Sequence, residues 1–309
     1  MDVSSVIDHI TQDLDTEARC AWHNATLDTY SVSQELVHEW IRQRLSVVRR
    51  ELRATRSGVA LHAAALRMPG STGGAIIAGK SMSGKSTLSV GLAAESGASL
   101  ISDDSVWWAN GVANGFGAPA TLRRGNPLWA KAQHLWYAND AERLVVRAQD
   151  LGGGPATASH EVTGIVFPMY EYGATTSSSM LSPAASFCRL LDVAIGSITP
   201  AVTRDLAQLA ATTNAIQITY SEPEAAYDAC CHVASTPVPP ERLDIEFMPA
   251  AKVQEAGFSK GVAGVRFGDE VVIWDTRTAQ VALLGGWRGL PNASEAFLRE
   301  LETLGLRDA

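Results

Sequence analysis

Eight consecutive residues form a pattern that binds phosphate groups in other proteins. The pattern G-x-x-x-x-G-K-[ST] is matched in full by Gly79, Lys80, Ser81, Met82, Ser83, Gly84, Lys85 and Ser86, and Thr87 follows directly. Its glycines let backbone N–H groups turn inward around a phosphate, and a following helix would point its positive N-terminus at the same place. In such a loop Lys85 can bridge the β- and γ-phosphates, and the Ser86 hydroxyl can ligate Mg²⁺. The pattern therefore predicts a nucleotide-binding loop that uses ATP and Mg²⁺.

Two adjacent carboxylates, Asp103 and Asp104, lie downstream of this loop. They follow the segment Ser99–Ser102, which is predicted to be the strand after the loop's helix. The carboxyl end of such a strand is where α/β nucleotide enzymes place the Mg²⁺-binding carboxylate. One carboxylate suffices for the metal, so its neighbour is free to accept a proton from an incoming hydroxyl. The same pair could instead be an exposed acidic turn.

The elements around the loop are predicted to alternate between strands and helices. Val59–Met68 and Ala75–Ala78 are apolar runs joined by a turn, and residues 84–95 form a helix that ends near Gly97. This order of elements indicates an α/β fold with at least one parallel crossover. No lysine is followed two residues later by aspartate, as the guanine-binding motif of GTPases requires, and no Leu-Ser-Gly-Gly-Gln stretch indicates a transporter ATPase.

Three segments together resemble the catalytic domain of HPr kinase/phosphorylase and its HPr-kinase-related relatives. They are Leu61–Ala65, which contains His62, the phosphate loop, and Leu100–Val106, which contains both aspartates. That family precedes its phosphate loop with a histidine-bearing strand and follows it with a hydrophobic-x-Asp-Asp-x-Val segment. The match spans residues 58–106 and weakens towards residue 235. The resemblance implies an α/β fold with a P-loop kinase core of the HPr kinase type.

The resemblance also implies a role for each matching residue. Lys85 and Ser86 would hold phosphate and Mg²⁺, with Asp103 assisting the metal. Asp104 would accept the proton of a Ser or Thr hydroxyl, and His62 would stand beside the reacting phosphate. The loop is one residue further from the aspartates than the family pattern leads us to expect, so the two aspartates could exchange roles. For His62 taken alone, a structural histidine on a strand is the alternative.

The chain departs from the bifunctional members of that family. They carry a Pro-Gly-Arg-Asn-type segment with a glutamate that supports a second metal and the reverse reaction, and no such segment follows Asp104. Phosphorolysis and HPr itself as substrate are therefore not expected. Arg123, Arg124 and Arg143 could offer charge to a transferring phosphoryl group, or could be surface residues. Related proteins accompany peptide-modification systems and HPr kinases form hexamers, so the resemblance implies a peptide or small-protein substrate and allows a homo-oligomer.

The chain is predicted to have three parts: an α-rich segment over residues 1–57, the catalytic domain over residues 58–236, and a small β/α appendage over residues 237–309. The first part has a capping-box pattern at Ser31 and Gln34, followed by an amphipathic helix. The other face of this helix is basic, and we interpret it either as a solvated face or as a docking surface for an acidic partner. Its basic residues are Arg42, Arg49, Arg50, Arg53 and Arg56.

The C-terminal part follows a proline-rich segment at residues 237–240, which is predicted to be a linker. The alternating segments Val262–Phe267, Glu270–Thr276 and Gln280–Leu284 predict a small β-meander, and a final helix ends at Gly305. This order of elements resembles the PqqD-like peptide-recognition fold, which captures a leader peptide by strand addition at a sheet edge. A structural cap on the kinase is the alternative.

The composition limits the classes of protein that the chain can belong to. Of its 309 residues, 46% are hydrophobic and 19% are charged, which is typical of a globular protein. The net charge of −8 argues against a nucleic-acid partner. No apolar run approaches the ~18 residues that cross a bilayer, and the N-terminus lacks the pattern of a signal peptide. A cytoplasmic protein without a membrane partner is predicted.

Together these patterns predict an ATP- and Mg²⁺-dependent kinase. Its acceptor would be a Ser or Thr hydroxyl of a peptide or small protein, including a ribosomally synthesised peptide. Two alternatives remain open. One is a P-loop kinase for a small metabolite, which the same motifs allow, and the other is a non-catalytic, nucleotide-responsive binding protein.

Overall fold

The fold is known from a computed structural model. It describes residues 7–8, 11, 14, 16–25, 36–55, 57–116, 119–132, 138–139, 142–154, 157–237, 244–248, 250–255, 258–278, 280–285 and 295–307. Two patterns of the sequence fall outside these residues. They are the capping-box pattern at Ser31 and Gln34 and most of the proline-rich segment at residues 237–240.

The described elements alternate between strands and helices along most of the chain. The strands are β1 (Val59–Leu61), β2 (Ala63–Arg67), β3 (Gly74–Ala78), β4 (Ser99–Ser102), β5 (Val106–Ala109), β6 (Val112–Gly115), β7 (Ala120–Arg123), β8 (Ala138–Asn139), β9 (Arg143–Val146), β10 (Ser159–Tyr170), β11 (Ser177–Leu181), β12 (Asn214–Tyr220), β13 (Ile245–Met248), β14 (Val262–Phe267), β15 (Glu270–Asp275) and β16 (Val281–Leu284). The helices are α1 (Thr16–Asn24), α2 (Val37–Thr55), α3 (Lys85–Ser96), α4 (Trp129–Ala132), α5 (Pro183–Val193), α6 (Pro200–Ala211), α7 (Glu224–Ser235), α8 (Ala250–Glu255) and α9 (Glu295–Thr303), with a short 3₁₀ helix at Ala148–Leu151. None of the described helices is both long and apolar enough to cross a bilayer.

A large mixed sheet forms the centre of the protein. Its strand order is β1-β5-β6-β10-β3-β2-β4, and β12 pairs with both β10 and β11. Strands β3, β10 and β12 run parallel to one another. Strand β2 lies antiparallel between β3 and β4, so β4 runs in the same direction as β3. The predicted α/β class is therefore confirmed, and α3 forms the predicted crossover between two strands of the same direction.

Helices cover both faces of this sheet, because its central strands are apolar on both sides. All five residues of β3 are buried, as is typical of a strand enclosed between two layers. Ile77 packs in one core with Leu88 of α3 and Val233 of α7. Ile76 packs in another core with Phe187 of α5, together with residues of α6. The phosphate loop, which follows β3, therefore leaves the sheet from a rigid, enclosed position.

The apolar run at residues 59–68 forms two strands rather than the single predicted strand. β1 pairs with β5, and β2 pairs with β3 and β4. The break falls at His62, whose backbone N–H donates to the carbonyl of Val193 at 2.7 Å. The chain changes partners at this residue, and local apolarity cannot reveal such a change because both strands are equally buried. As a result His62 lies in the gap between two strands and not within either of them.

The N-terminal helices pack against one edge of the sheet. The amphipathic helix predicted after residue 36 is present as α2, and its apolar stripe is buried with Trp22 of α1 and Trp107 of β5. The indole N–H of Trp22 donates to the carbonyl of Phe116 at 2.7 Å, which ties α1 to the sheet. This packing brings the side of α2 next to the loop that follows β4.

The C-terminal part is a four-stranded antiparallel sheet with the order β13-β14-β15-β16. The predicted meander and the final helix are both present. Phe267 and Trp274 of this sheet pack against Phe187 of α5, with ring centroids 5.4 and 5.6 Å apart. The resemblance to a PqqD-like element and the three-part division of the chain both stay predictions.

Candidate functional site

A cavity of about 650 Å³ opens at one edge of the central sheet. Strands β4, β3, β10 and β12 run in the same direction, so their carboxyl ends all meet at this edge. The cavity is lined by the phosphate loop, both aspartates, the side of α2, the β7 segment, and the residues at the ends of β10 and β12. In α/β sheets the crevice outside the carboxyl ends of the strands is the usual ligand site.

The phosphate loop leads directly into α3. Gly84 precedes the helix with φ of 95°, and among the described residues no side chain caps this helix start. A Cβ at Gly84 would lie 2.2 Å from the hydroxyl oxygen of Tyr220, so both the backbone angle and the space require glycine. The first backbone N–H groups of a helix have no partner within it. They form a positive cradle that fits a phosphate group.

Lys85 is the buried cation of this loop, with 6% of its surface exposed. Its ammonium group donates to the carbonyl of Lys80 at 3.0 Å and lies 3.1 Å from Nε2 of His62. Burial lowers the pKa of Lys85, while the charges of Asp103 and Asp104 act in the opposite direction. The chemistry of the cradle therefore fits the phosphates of a nucleotide, which would add negative charge next to a buried ammonium group.

Asp103 is buried against the first turn of α3. Its carboxylate accepts hydrogen bonds from the hydroxyl of Ser86 at 2.8 Å, the hydroxyl of Ser89 at 3.4 Å and the backbone N–H of Thr121 at 3.4 Å. A hydroxyl and a carboxylate are the oxygen donors that Mg²⁺ accepts, usually together with substrate phosphates. Ser86 and Asp103 thus fit a Mg²⁺ ion. Within the described part of the chain, no group of three or more His, Cys, Asp or Glu side chains is arranged to hold a metal.

Asp104 faces the cavity, with half of its side chain exposed. One carboxylate oxygen lies 3.1 Å from Nδ1 of His62, and the other accepts from Arg49 at 3.0 Å. The residue has φ of 62°, a left-handed conformation that aspartate and asparagine adopt more readily than most residues. A carboxylate has about four acceptor positions, so Asp104 can still accept a proton from a molecule in the cavity.

The two neighbouring carboxyl groups differ strongly in acidity. Burial, followed by the charge of Asp104, raises the pKa of Asp103 to about 6. Burial acts to raise the pKa of Asp104 as well, but the hydrogen bonds and charges of His62 and Arg49 outweigh it, and the pKa lies below its ordinary value. Asp104 is therefore ionised at neutral pH. A cation bound beside Asp103 would favour the ionised form of that carboxyl too.

Arg49 is a site residue that the sequence analysis placed on a solvated or docking face. The packing of α2 instead turns it towards the cavity edge, and 19% of its side chain is exposed. Arg53, on the same face, donates to the carbonyl of Ile195. The position of Arg49 could have been inferred from the sequence spacing. It follows the buried Ile41 and Leu45 at four-residue steps and so lies on their side of the helix. Arg42 also lines the cavity, but it is more exposed and pairs with Glu39.

We expect Arg49→Gln to raise the pKa of the Asp104 carboxyl. Burial raises the pKa of Asp104, and the charge of Arg49 at 3.0 Å lowers it. Removing this charge therefore raises the pKa, by about one unit or more for an opposite charge at this distance. The shift can be measured by NMR titration of the labelled carboxyl carbon. Arg50→Gln, an exposed neighbour on the same helix, is the matched control and should leave the pKa unchanged. An unchanged pKa in Arg49→Gln would contradict the assigned contact.

The structure brings most of the predicted site residues together. Asp103, Asp104, His62 and the loop residues Ser81, Met82, Gly84, Lys85, Ser86 and Thr87 line the cavity. Three of the predicted nucleotide-binding residues, Gly79, Lys80 and Ser83, do not line it. The side chain of Lys80 turns outward and pairs with Asp192 at 3.0 Å, while its carbonyl holds Lys85. Sequence reasoning missed Asn126, which donates to the hydroxyl of Thr87 at 2.8 Å.

The arginines of the β7 and β9 segment also reach the cavity. Arg123, Arg124 and Arg143 all line it, so they are not simply remote surface residues. The charge of Arg123 acts on Lys85, which places a second cation near the end of the phosphate loop. This arrangement fits a group that carries several negative charges.

Comparison with solved structures includes a distant likeness. No protein-family model matches the chain, and no curated protein matches it. Among solved structures, the HPr(Ser) kinase/phosphatase from Coxiella burnetii is similar over 56% of this chain and 92% of that chain, with 14% sequence identity and a TM-score of 0.29. Backbones with so low a TM-score superpose poorly, and the likeness by itself assigns neither a family nor a function. Membership in the family that residues 58–106 resemble stays a prediction.

Proposed function

We propose that the chain is an ATP- and Mg²⁺-dependent kinase that transfers the γ-phosphoryl group to a Ser or Thr hydroxyl of a peptide or small protein. The observation that carries this proposal is that two adjacent acids have different environments. Asp103 is buried on the hydroxyl of Ser86, whereas Asp104 faces the same cavity and is half exposed. A metal-binding acid and a proton-accepting acid beside a phosphate-binding loop would together serve phosphoryl transfer to a hydroxyl.

The proposed roles of the loop residues follow from their contacts. The backbone N–H groups at the start of α3 and the ammonium group of Lys85 would bind the phosphates. Ser86 and Asp103 would hold Mg²⁺, which neutralises charge on the phosphate oxygens when bound. Arg123 would place a further cation near the transferred group. Positioning and charge neutralisation by these fixed groups would supply most of the rate enhancement.

Asp104 would accept the proton of the attacking hydroxyl. Its lowered pKa leaves it without a proton, as a proton acceptor must be, and also makes it a weak base. His62 and Arg49 hold its two oxygens in place. His62 links this carboxylate to the cradle, because its other ring nitrogen lies 3.1 Å from the ammonium group of Lys85. The proposed role of His62 is therefore to fix the distance between the proton acceptor and the phosphate-binding lysine.

The part of the cavity beside Asp104 would receive the acceptor. Among the residues that line the cavity, Leu45 and Val145 are apolar and Arg124 and Arg143 are charged. Mixed walls of this kind fit a peptide segment that contributes both apolar and polar groups. The lining therefore agrees with a peptide or small-protein acceptor, and the transfer experiment below decides between it and a small metabolite.

The direct test is transfer of labelled phosphate from ATP. The protein is incubated with Mg²⁺, γ-labelled ATP, a library of Ser- and Thr-containing peptides, and the peptides encoded beside its gene, and products are measured by intact mass. We expect a gain of about 80 daltons, the mass of one phosphate group, on one class of peptide. The gain should vanish when EDTA removes Mg²⁺. Peptides with alanine at every Ser and Thr are the matched control.

Other outcomes of this experiment separate the alternatives. Label on members of a hydroxylated metabolite panel, with none on peptides, would replace the peptide acceptor by a small molecule. Tight binding of ATP without transfer to either panel would contradict a kinase and favour a nucleotide-responsive binding protein.

A further inference from the structure

The cavity extends beyond the phosphate loop on the side away from the aspartates. Strands β10 and β12 end there side by side, and Tyr170 is paired with Tyr220 in their parallel register. Beyond the strand ends, Ser221, Glu222 and Pro223 line the same cavity as Tyr170. None of these residues has a part in the chemistry proposed for the aspartates.

Tyr170 is an exposed aromatic ring on a rigid support. The residue is 47% exposed, and its ring meets the ring of Tyr220 edge-on, with centroids 5.8 Å apart and planes at 72°. Tyr220 is itself fully buried, and its hydroxyl donates to the carbonyl of Gly84 at 2.9 Å. The backbone N–H of Tyr170 donates to the carbonyl of Ser83 at 3.2 Å. The ring is thus fixed to the phosphate loop while it leaves apolar surface open to the cavity.

The strand order gives the direction in which a nucleotide would lie. The aspartates follow β4, the loop follows β3, and Tyr170 ends β10, in that spatial order across the sheet edge with β2 between β4 and β3. If the terminal phosphate lies beside Asp103 and Asp104 with the other phosphates on the loop, the nucleoside must extend towards β10 and β12. Aromatic rings stack on bases, and ligand pockets combine such rings with a few polar groups.

Resting on the proposed use of ATP, we infer that the nucleoside of the bound nucleotide lies against Tyr170, with the base on its ring. Pro223 forms the neighbouring apolar wall, and Ser221 and Glu222 offer the polar groups of this subsite. The subsite takes a nucleoside and contributes nothing to the binding of a phosphate chain alone. Tyr170 is therefore a nucleoside-binding residue, separate from the residues that bind phosphate.

The test compares ATP with inorganic tripolyphosphate, which keeps the chain of three phosphates, lacks the nucleoside and has one more ionisable oxygen; each is titrated with Mg²⁺ by calorimetry into the full chain. We expect Tyr170→Ala to weaken ATP binding about tenfold or more, the usual effect of losing one base-stacking ring. Its affinity for tripolyphosphate should stay unchanged, and Tyr170→Phe should bind both as the wild type does. Tyr172→Ala removes a ring that is 90% exposed only two residues away, and it should alter neither affinity.

Two results would overturn the subsite. One is equal weakening of both ligands by Tyr170→Ala, which would mean that the ring only supports the loop. The other is a Tyr170→Ala protein that binds ATP as tightly as the wild type does. Transfer is measured separately: selective loss of ATP binding in a protein that transfers no phosphate would keep the subsite and reject the kinase. If Tyr170→Ala binds ATP normally and the protein does transfer phosphate, the subsite is rejected and the kinase is kept.

Discussion

Asp104→Asn is expected to abolish phosphate transfer while it leaves ATP binding nearly intact. Asparagine has the same shape, and it tolerates the left-handed backbone of this residue, which has φ of 62°. It can still contact His62 and Arg49, but its amide cannot accept a proton at neutral pH. Loss of a general base slows catalysis by about 10²- to 10⁴-fold, and the phosphate cradle is not touched by the change.

Two quantities are measured: kcat for phosphate transfer, and the dissociation constant of ATP in the presence of Mg²⁺. Asp269→Asn, in an exposed turn of the C-terminal sheet, makes the same chemical change far from the cavity and should alter neither quantity. Asp103→Asn distinguishes the roles of the two acids. It should lower the affinity for Mg²⁺ as well as the rate of transfer. Turnover of Asp104→Asn at the wild-type rate would remove Asp104 from the proposed mechanism.

The strand, loop and helix that contain the phosphate-binding pattern could be predicted because the information is local. A glycine pattern, an apolar strand before it and a helix that ends at Gly97 all lie within a short segment, and the helix does end there, with φ of 73° at that glycine. The position of the aspartates at a strand end follows from the same local order. Their different environments could not be predicted, because these depend on which elements pack against each of them.

The contacts of Asp104 show this limit most clearly. Arg49 lies 55 residues earlier in the sequence and His62 lies 42 residues earlier. Arg49 is brought next to Asp104 by the packing of α2 against the sheet. His62 is brought there by the break between β1 and β2, where the chain changes strand partners within one apolar run. Tyr170 comes from the end of a strand on the opposite side of the loop. The pattern of one sequence does not indicate which distant residues contact one another. It indicates only that Arg49, four residues after Leu45, lies on the buried side of its helix.

Lys85→Met is expected to lower both the affinity for ATP and the rate of transfer. Methionine fills much of the space of the lysine stem, so the packing beneath the loop is largely kept. It supplies no charge for the phosphates, and it leaves the carbonyl of Lys80 and Nε2 of His62 without their donor. Removal of one fixed donor to a developing charge costs about 10²- to 10³-fold in kcat. Lys260→Met, at an exposed position, is the matched control and should behave as the wild type.

This substitution also distinguishes the kinase from a protein that only binds nucleotide. Burial lowers the pKa of Lys85, so its charged form is held at a cost that the phosphates of a bound nucleotide would offset. In a kinase, Lys85→Met should lose rate beyond its loss of affinity, because the negative charge that develops on phosphate oxygens in the transition state would lose a fixed donor. In a binding protein, only affinity would change. Transfer that continues at the wild-type rate once ATP saturates Lys85→Met would show that the lysine binds the nucleotide and takes no part in the reaction.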